Sequence, residues 1–256
     1  MIKAIFFDVD GTLYSHTTCE ISESTRRSLD RLKEAGIKYI VATGRHMLEL
    51  QDMPVLDIEY DGYITLNGQL CLDEKKQLFY GNAIEGTEKE CLVRLFKEKT
   101  LPIMFIEENR MYINFVNQLV IDAQADISTA IPDVEEYQGG SIYMAVAYLS
   151  KDAEELMKKQ LPGCKITRWN KNAIDIISES GGKISGIKQY LEQNHWRNDE
   201  IMAFGDAEND MEMLAFAGVG IAMGNAAEHV KEHADFVTKS VDECGIEYAL
   251  KKYHII

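Results

Sequence analysis

The sequence predicts an α/β protein whose parallel-sheet core is interrupted by an inserted α+β domain. Three observations carry that prediction. Apolar runs of strand length alternate with amphipathic helices over roughly the first 80 residues. In the middle the alternation gives way to pairs of strands joined by short polar links. The α/β alternation then resumes to the end of the chain. Strands separated by helices need crossover connections and so run parallel, whereas closely spaced strands return antiparallel.

The first apolar run, residues 2–7, reads as a buried strand, and Asp8-Val9-Asp10-Gly11-Thr12 follows it. Residues 22–35 read as a helix with Ser22 as N-cap, Glu23 in the first turn and Gly36 as the stop. Its apolar positions, Leu29, Leu32 and Ala35, have helical spacing. Residues 37–42 form a second strand, followed by Thr43-Gly44-Arg45, and residues 62–66 a third, ending at Asn67-Gly68.

The middle section opens with a helix over 88–99 and strands over 102–106 and 111–115, linked by Glu107-Glu108-Asn109-Arg110. A helix through about Ser128, a strand over 141–149 and a helix over 152–160 come next. Strands over 165–169 and 173–177 make a second hairpin, with Arg168, Trp169, Asn170, Lys171 and Asn172 as a polar and aromatic loop. Such a loop fits a solvated turn as well as a substrate contact. Polar, glycine-containing stretches near 82–86 and 178–182 mark the boundaries. The expected division is a core of 1–81 with 179–256 and an insert of 82–178. In the last part, helices over 184–194, 209–216 and 226–233 alternate with strands over 201–204, 218–223 and 236–237.

At 256 residues, with 46% hydrophobic and 27% charged residues, the chain has the composition of a globular protein. The net charge of −15 argues against nucleic acid and anionic membranes as partners, because both need a basic face. An anionic substrate would need locally placed lysine, arginine, backbone N–H groups or a metal to overcome that field. The five cysteines are scattered without zinc or redox spacing, which implies reduced thiols and a cytoplasmic protein. The opening apolar run is too short for a signal peptide, and no run approaches the ~20 residues of a membrane helix. Oligomeric state is not legible.

Chemistry concentrates in four segments. Asp8 and Asp10 follow the first strand, Thr43 and Gly44 the second, and Asp206, Asn209 and Asp210 the fourth strand of the core, while Lys183 opens a helix. Loops after the carboxyl ends of parallel strands share one edge of the sheet, where ligands gather. Magnesium takes oxygen ligands and is held by one or two carboxylates plus substrate phosphate. Asp8 and Asp206 suit that task. Thr43 is expected to donate to phosphate from its hydroxyl and its backbone N–H at a helix start. Lys183 supplies a fixed positive charge. An aspartate nucleophile splits one slow phosphoryl transfer into two steps, and Asp10 is placed to protonate the leaving alkoxide and then activate water. Taken singly, each segment has an ordinary reading: a strand-to-helix turn for Thr43-Gly44, an exposed helix start for Lys183, an N-cap for Asp206, a first-turn acid for Asp210. Taken together they describe phosphoryl transfer.

These residues carry a family resemblance. Asp8-Val9-Asp10-Gly11-Thr12, Ala42-Thr43-Gly44-Arg45, Gly182-Lys183 and Gly205-Asp206-Ala207-Glu208-Asn209-Asp210-Met211 resemble the motifs of the haloacid dehalogenase superfamily. Thr65-Leu66-Asn67-Gly68, Ala222-Met223-Gly224-Asn225-Ala226 and Ala234-Asp235 resemble its Cof-type phosphatases. The resemblance implies a Rossmann-like core and a large α/β cap that sets specificity. It implies Asp8 as nucleophile and Mg2+ ligand, Asp10 as general acid/base and ligand through its backbone carbonyl, and Asp206 as third ligand with Asp210 in support. Thr43, Gly44, Lys183 and Asn209 would bind phosphate, and Arg45 would be structural support. Substrate selection would fall to Asn67 and to Arg168, Trp169 and Asn170 of the cap. The substrates implied are small sugar phosphates or phosphorylated cofactors. Cys244-Gly245-Ile246, where the family has an acidic residue before the glycine, and the glycine-rich Ser180-Gly181-Gly182 depart from the pattern without touching this chemistry.

Asp10 argues against a dehalogenase, which has no alkoxide to protonate. A phosphomutase or phosphotransferase would keep every one of these residues. A non-catalytic sugar-phosphate sensor would have degraded motifs, and a receiver-type signalling domain would need no insert of this size.

Overall fold

The computed structural model describes residues 1–127 and 129–256. The expected end of a helix near Ser128 lies outside the described residues; the helix itself spans Gln118–Asp126. The strands, in chain order, are β1 Ala4–Phe7, β2 Lys38–Ala42, β3 Gly62–Thr65, β4 Leu70–Asp73, β5 Leu78–Gly81, β6 Ile103–Ile106, β7 Met111–Ile113, β8 Met144–Tyr148, β9 Cys164–Asn170, β10 Ala173–Ser178, β11 Ile201–Gly205, β12 Val219–Ala222 and β13 Phe236–Val237. The chain divides into two compact units: Met1–Tyr80 with Gly182–Ile256, and Gly81–Gly181.

The discontinuous unit is built on an eight-stranded sheet ordered β13-β12-β11-β1-β2-β3-β4-β5. Six of these strands, β13 through β3 in that order, pair in parallel. The chain winds from β1 through β2 to β3 on one side and from β11 through β12 to β13 on the other. β1 therefore sits where the winding reverses, the place where doubly wound sheets bind their ligands. Every residue of β1 is buried, as expected for a strand covered on both faces. Phe7 stacks on Phe204 of β11 with ring centroids 5.0 Å apart, and Ala4, Phe6, Ile40, Ile64 and Ala203 share a core with Ile187, Tyr190 and Leu191 of the helix Lys183–Asn194.

The sheet is not wholly parallel. β4 runs antiparallel to β3, and neither β4 nor β5 is among the strands expected from the sequence, the third of which ends at Asn67-Gly68. The turn between β3 and β4 holds Leu66 and Asn67 at φ 51° and 52° and Gly68 at 88°. Tyr190 joins this hairpin to the helix: its hydroxyl accepts from the Tyr63 N–H at 2.9 Å and donates to the Leu72 carbonyl. The predicted helix over 209–216 is a 3-10 turn, Glu208–Asp210, running into the helix Met211–Phe216. A C-terminal helix, Gly245–Lys252, buries Ile246, Ala249 and Leu250 and was also absent from the sequence reading.

The second unit carries a five-stranded antiparallel sheet ordered β7-β6-β8-β10-β9. Its core gathers Phe96, Phe105 and Tyr112 with Leu92, Ile174 and Ile176. β9 runs through Asn170, so Arg168, Trp169 and Asn170 are strand residues rather than loop residues, and a register shift follows at Ala173/Ile174. Among the described residues no helix is long and apolar enough to cross a membrane.

Candidate active site

Sheet register builds the site. Phe7 of β1 pairs with Phe204 of β11 on one side and Val41 of β2 on the other. Asp8 thus emerges level with Gly205 and Ala42, one residue before Asp206 and Thr43. The Asp8 N–H continues the ladder to the Phe204 carbonyl at 3.0 Å. Gly11, at φ 79°, lets the following turn fold back, and a Cβ there would strike the Asp206 carboxylate.

Lys183, first residue of its helix, is 1% exposed. Its ammonium donates to Asp8 Oδ1 at 2.5 Å and to Asp210 Oδ1 at 2.6 Å. Asp210 Oδ2 accepts the N–H groups of Asp206 and Ala207 at 2.9 and 3.0 Å, which explains the tight turn in place of a continuous helix. Carboxylate oxygens of Asp8, Asp206 and Asp210 lie within 4.8 Å of one another. Three carboxylates face one ammonium. Burial raises the Asp8 pKa well above the usual range; Lys183 pulls it down, but Asp210, Asp206 and Asp10 add to the rise. Burial and the Asp210 charge push Asp206 up to about 6. Burial alone would lower Lys183, but Asp210 and Asp8 outweigh it and raise its pKa, so it remains an ammonium.

Excess negative charge in a buried, oxygen-only cluster fits a hard divalent cation. The hydrogen bonds sort the donors. Both oxygens of Asp210 are engaged by protein groups and its side chain is fully buried, so it braces Lys183 and the Asp206 turn from behind. The Asp206 carboxylate is steadied from two directions, by the Thr12 hydroxyl at 3.3 Å and the Asn225 amide at 3.0 Å. The same Asn225 amide also donates to the Gly11 carbonyl at 2.9 Å, linking the turn after β1 to the loop after β11. Thr12 and Asn225 lie within the motifs Asp8–Thr12 and Ala222–Ala226, which in sequence alone do not reveal this bracing task.

Asp10 lives in a different setting. Its side chain is 31% exposed and is gripped by Arg45 in a two-point fork, Nε to Oδ2 at 2.7 Å and Nη2 to Oδ1 at 2.8 Å. His16 Nε2 lies 3.0 Å from the same Oδ1. Arg45 thus fixes the orientation of Asp10, a more specific task than general support.

The Thr43 expectation needs correction. No helix starts at Thr43, since the next one is Met47–Leu50. Its N–H is already spent on the Ile64 carbonyl at 2.8 Å. Its hydroxyl oxygen accepts the Arg45 N–H at 3.1 Å and keeps its own proton to donate. Among the described residues the Gly44 N–H has no protein acceptor, which makes it the backbone donor of this loop. Asn209 Nδ2 donates to Asn67 Oδ1 at 2.9 Å, bringing together two residues whose expected tasks, phosphate binding and substrate selection, are separate.

Arg168 in the second unit donates to Glu154 at 2.6 Å and to the carbonyls of Asn170 and Lys171 at 3.0 Å each. Its guanidinium is committed to tying β9 to the link that follows. Asn170 donates to Asp126 at 3.1 Å and accepts from the Asn172 N–H at 2.9 Å. Trp169 is partly buried on the strand between them.

Carboxylates and a lysine thus meet at the switch point of a doubly wound sheet, an arrangement suited to phosphoryl transfer. The chain belongs to the haloacid dehalogenase-like hydrolases, matching that family over residues 5–250. It is 33% identical over 258 residues to "Putative phosphatase YkrA" of Bacillus subtilis (strain 168), covering 99% of this chain and 98% of the relative. The solved structure of BT1666 from Bacteroides thetaiotaomicron, from a study of phosphatases of the same superfamily, superposes with a TM-score of 0.92 at 31% identity, covering 100% of this chain and 96% of that one. The subclass IIB sugar phosphatase BT4131 superposes with a TM-score of 0.87 at 31% identity, covering 99% and 100%.

Proposed function

We propose that this phosphoric monoester hydrolase is a magnesium-dependent phosphatase of small phosphorylated metabolites, acting through an aspartyl-phosphate on Asp8. The observation that carries the reading is the buried cluster in which Lys183 bridges Asp8 and Asp210 while Asp206 faces them across a shared oxygen-lined space. Asp8 and Asp206, with the Asp10 backbone carbonyl, would hold the cation, and Asp210 would support them. When bound, magnesium supplies neutralisation of phosphate oxygen charge.

In the first step an Asp8 carboxylate oxygen attacks phosphorus, the P–O ester bond breaks, and Asp10 gives its proton to the leaving alkoxide. In the second, Asp10 takes a proton from water as that water attacks phosphorus, the bond to Asp8 breaks, and inorganic phosphate leaves. Lys183, the Thr43 hydroxyl, the Gly44 N–H and Asn209 hold the phosphate oxygens through both steps. Positioning and charge stabilisation are the main demands of phosphoryl transfer. Residues 82–178 are assigned as the cap that selects the alcohol portion, with sugar phosphates or phosphorylated cofactors as the class. Within that cap Trp169 and Asn170 are the proposed contacts, and Arg168 acts through the shape of its strand.

A panel of phosphorylated sugars and cofactors, assayed with magnesium and with chelator, tests this. Phosphate release that depends on magnesium and is lost in Asp8→Asn is expected. Equal release with chelator, or from Asp8→Asn, would contradict it.

A further inference from the structure

We infer that Asn67 is a positioning residue that holds the phosphate-binding groups in register, rather than a contact for the alcohol portion of the substrate. The inference rests on the phosphatase reading above and deepens it.

Asn67 touches each of the three segments proposed to grip phosphate. Its N–H donates to the Thr43 carbonyl at 3.0 Å. Its carbonyl accepts the Gly182 N–H at 2.9 Å, immediately before Lys183. Its side-chain Oδ1 accepts from Asn209 Nδ2 at 2.9 Å. Its amide also lies against Gly44, where a Cβ would come within 3.2 Å of Nδ2. One residue thus joins the loop after β2, the start of the lysine helix and the turn after β11.

The backbone explains how a single residue reaches all three. Asn67 adopts the left-handed conformation, φ 52° and ψ 44°, which asparagine tolerates better than most residues. Leu66 shares the positive φ at 51°, where a leucine is strained. Surrounding bonds hold that strain in place. The Leu66 N–H donates to the Arg45 carbonyl at 3.1 Å, and Ser185 Oγ donates to the Gly68 carbonyl at 3.3 Å. Gly68 packs so closely on the Gly182 carbonyl that a Cβ would not fit. The turn is wedged between the phosphate loop and the lysine helix. Because one hydrogen of the Asn209 amide goes to Asn67, the other is left in a fixed direction for a phosphate oxygen. Asn67 is itself buried, with Oδ1 already committed.

Asn67→Gly separates these roles. Glycine is compatible with the left-handed turn and its backbone bonds, and removes the side-chain latch on Asn209 together with the amide's packing against Gly44. The probes are inorganic phosphate as a competitive inhibitor, p-nitrophenyl phosphate, and two sugar phosphates of different size. Loss of one orienting hydrogen bond predicts a rise in the inhibition constant of inorganic phosphate of about five- to tenfold. KM should rise by the same factor for all three substrates, with kcat and the unfolding midpoint little changed. Asn209→Ala should cost less in the Asn67→Gly background than in the wild type. An unchanged phosphate inhibition constant with a reordered substrate ranking would overturn the inference in favour of a direct substrate contact. A lower unfolding midpoint with unchanged phosphate binding would overturn it in favour of a purely structural role. A wild-type protein that neither hydrolyses these esters nor binds phosphate would instead remove the phosphatase reading on which the inference stands.

Discussion

Asp8 and Asp10 stand two residues apart yet occupy opposite electrostatic settings. Asp8 is 7% exposed, shares one lysine with Asp210, and belongs to a group whose carboxylates outnumber its ammonium. Asp10 is 31% exposed and has a guanidinium largely to itself. The first centre is short of positive charge in a place where charge is costly, so it favours a cation and an incoming phosphate's metal partner. The second is balanced by Arg45 and partly exposed, the setting in which the proposed proton transfers to the leaving group and from water would take place. One strand end places two carboxylates in distinct settings, because the register directs Asp8 inward and the turn at Gly11 leaves Asp10 beside Arg45.

Substitutions should separate the two centres. Asp8→Asn removes the proposed attacking oxygen, and kcat should fall by about 10⁴-fold or more, as for loss of other catalytic nucleophiles. Asp10→Asn should lower kcat by about 10²–10⁴-fold for alkyl phosphates. It should cost less in the first step with p-nitrophenyl phosphate, whose leaving group needs no proton. Equal losses for both substrates in rapid-mix kinetics would collapse the distinction between the centres.

Lys183→Met tests the buried centre through stability. It leaves Asp8 and Asp210 without their shared partner, and the unfolding free energy in chelator should drop by about 3–5 kcal/mol. Magnesium should recover more stability in this variant than in the wild type, read by denaturant titration with and without the metal. No loss in chelator would show that the carboxylates do not need the ammonium. Arg45→Ala frees Asp10 from its fork, and kcat should fall by about 10²-fold with little change in phosphate inhibition, a misplacement effect. His16→Ala should be the mildest. His16 is 62% exposed, and an exposed pair contributes about 0.2–1 kcal/mol, so kcat should change less than about fivefold.

The legibility of this site in the sequence followed the same division. Asp8, Lys183, Asp206 and Asp210 were readable because parallel strands bring their carboxyl ends to one edge, and all but Lys183 follow such strands. The Asp10–Arg45 fork was not readable, since nothing local says which of two neighbouring loops a long side chain will reach. Thr43 departs from expectation in one respect: its N–H extends the β2–β3 ladder to Ile64 instead of opening a helix. Asn67-Gly68 is a hairpin dipeptide and sits in the turn between β3 and β4, but that turn uses three consecutive positive φ angles, which no simple pattern displays. In the second unit Arg168 looked free in sequence because its acceptors, Glu154 and backbone carbonyls, become neighbours only when β9 extends.

The central claim is that Asp8 itself takes the phosphoryl group. It is tested most directly by acid-quenching wild-type protein during turnover of p-nitrophenyl phosphate, reducing with borohydride, and sequencing the N-terminal peptide by mass spectrometry. The account predicts that Asp8 alone is converted to homoserine, that Asp10→Asn increases the trapped fraction, and that Asp8→Asn abolishes it. An unmodified Asp8 in Asp10→Asn that still turns over substrate, or trapping at another residue, would contradict it.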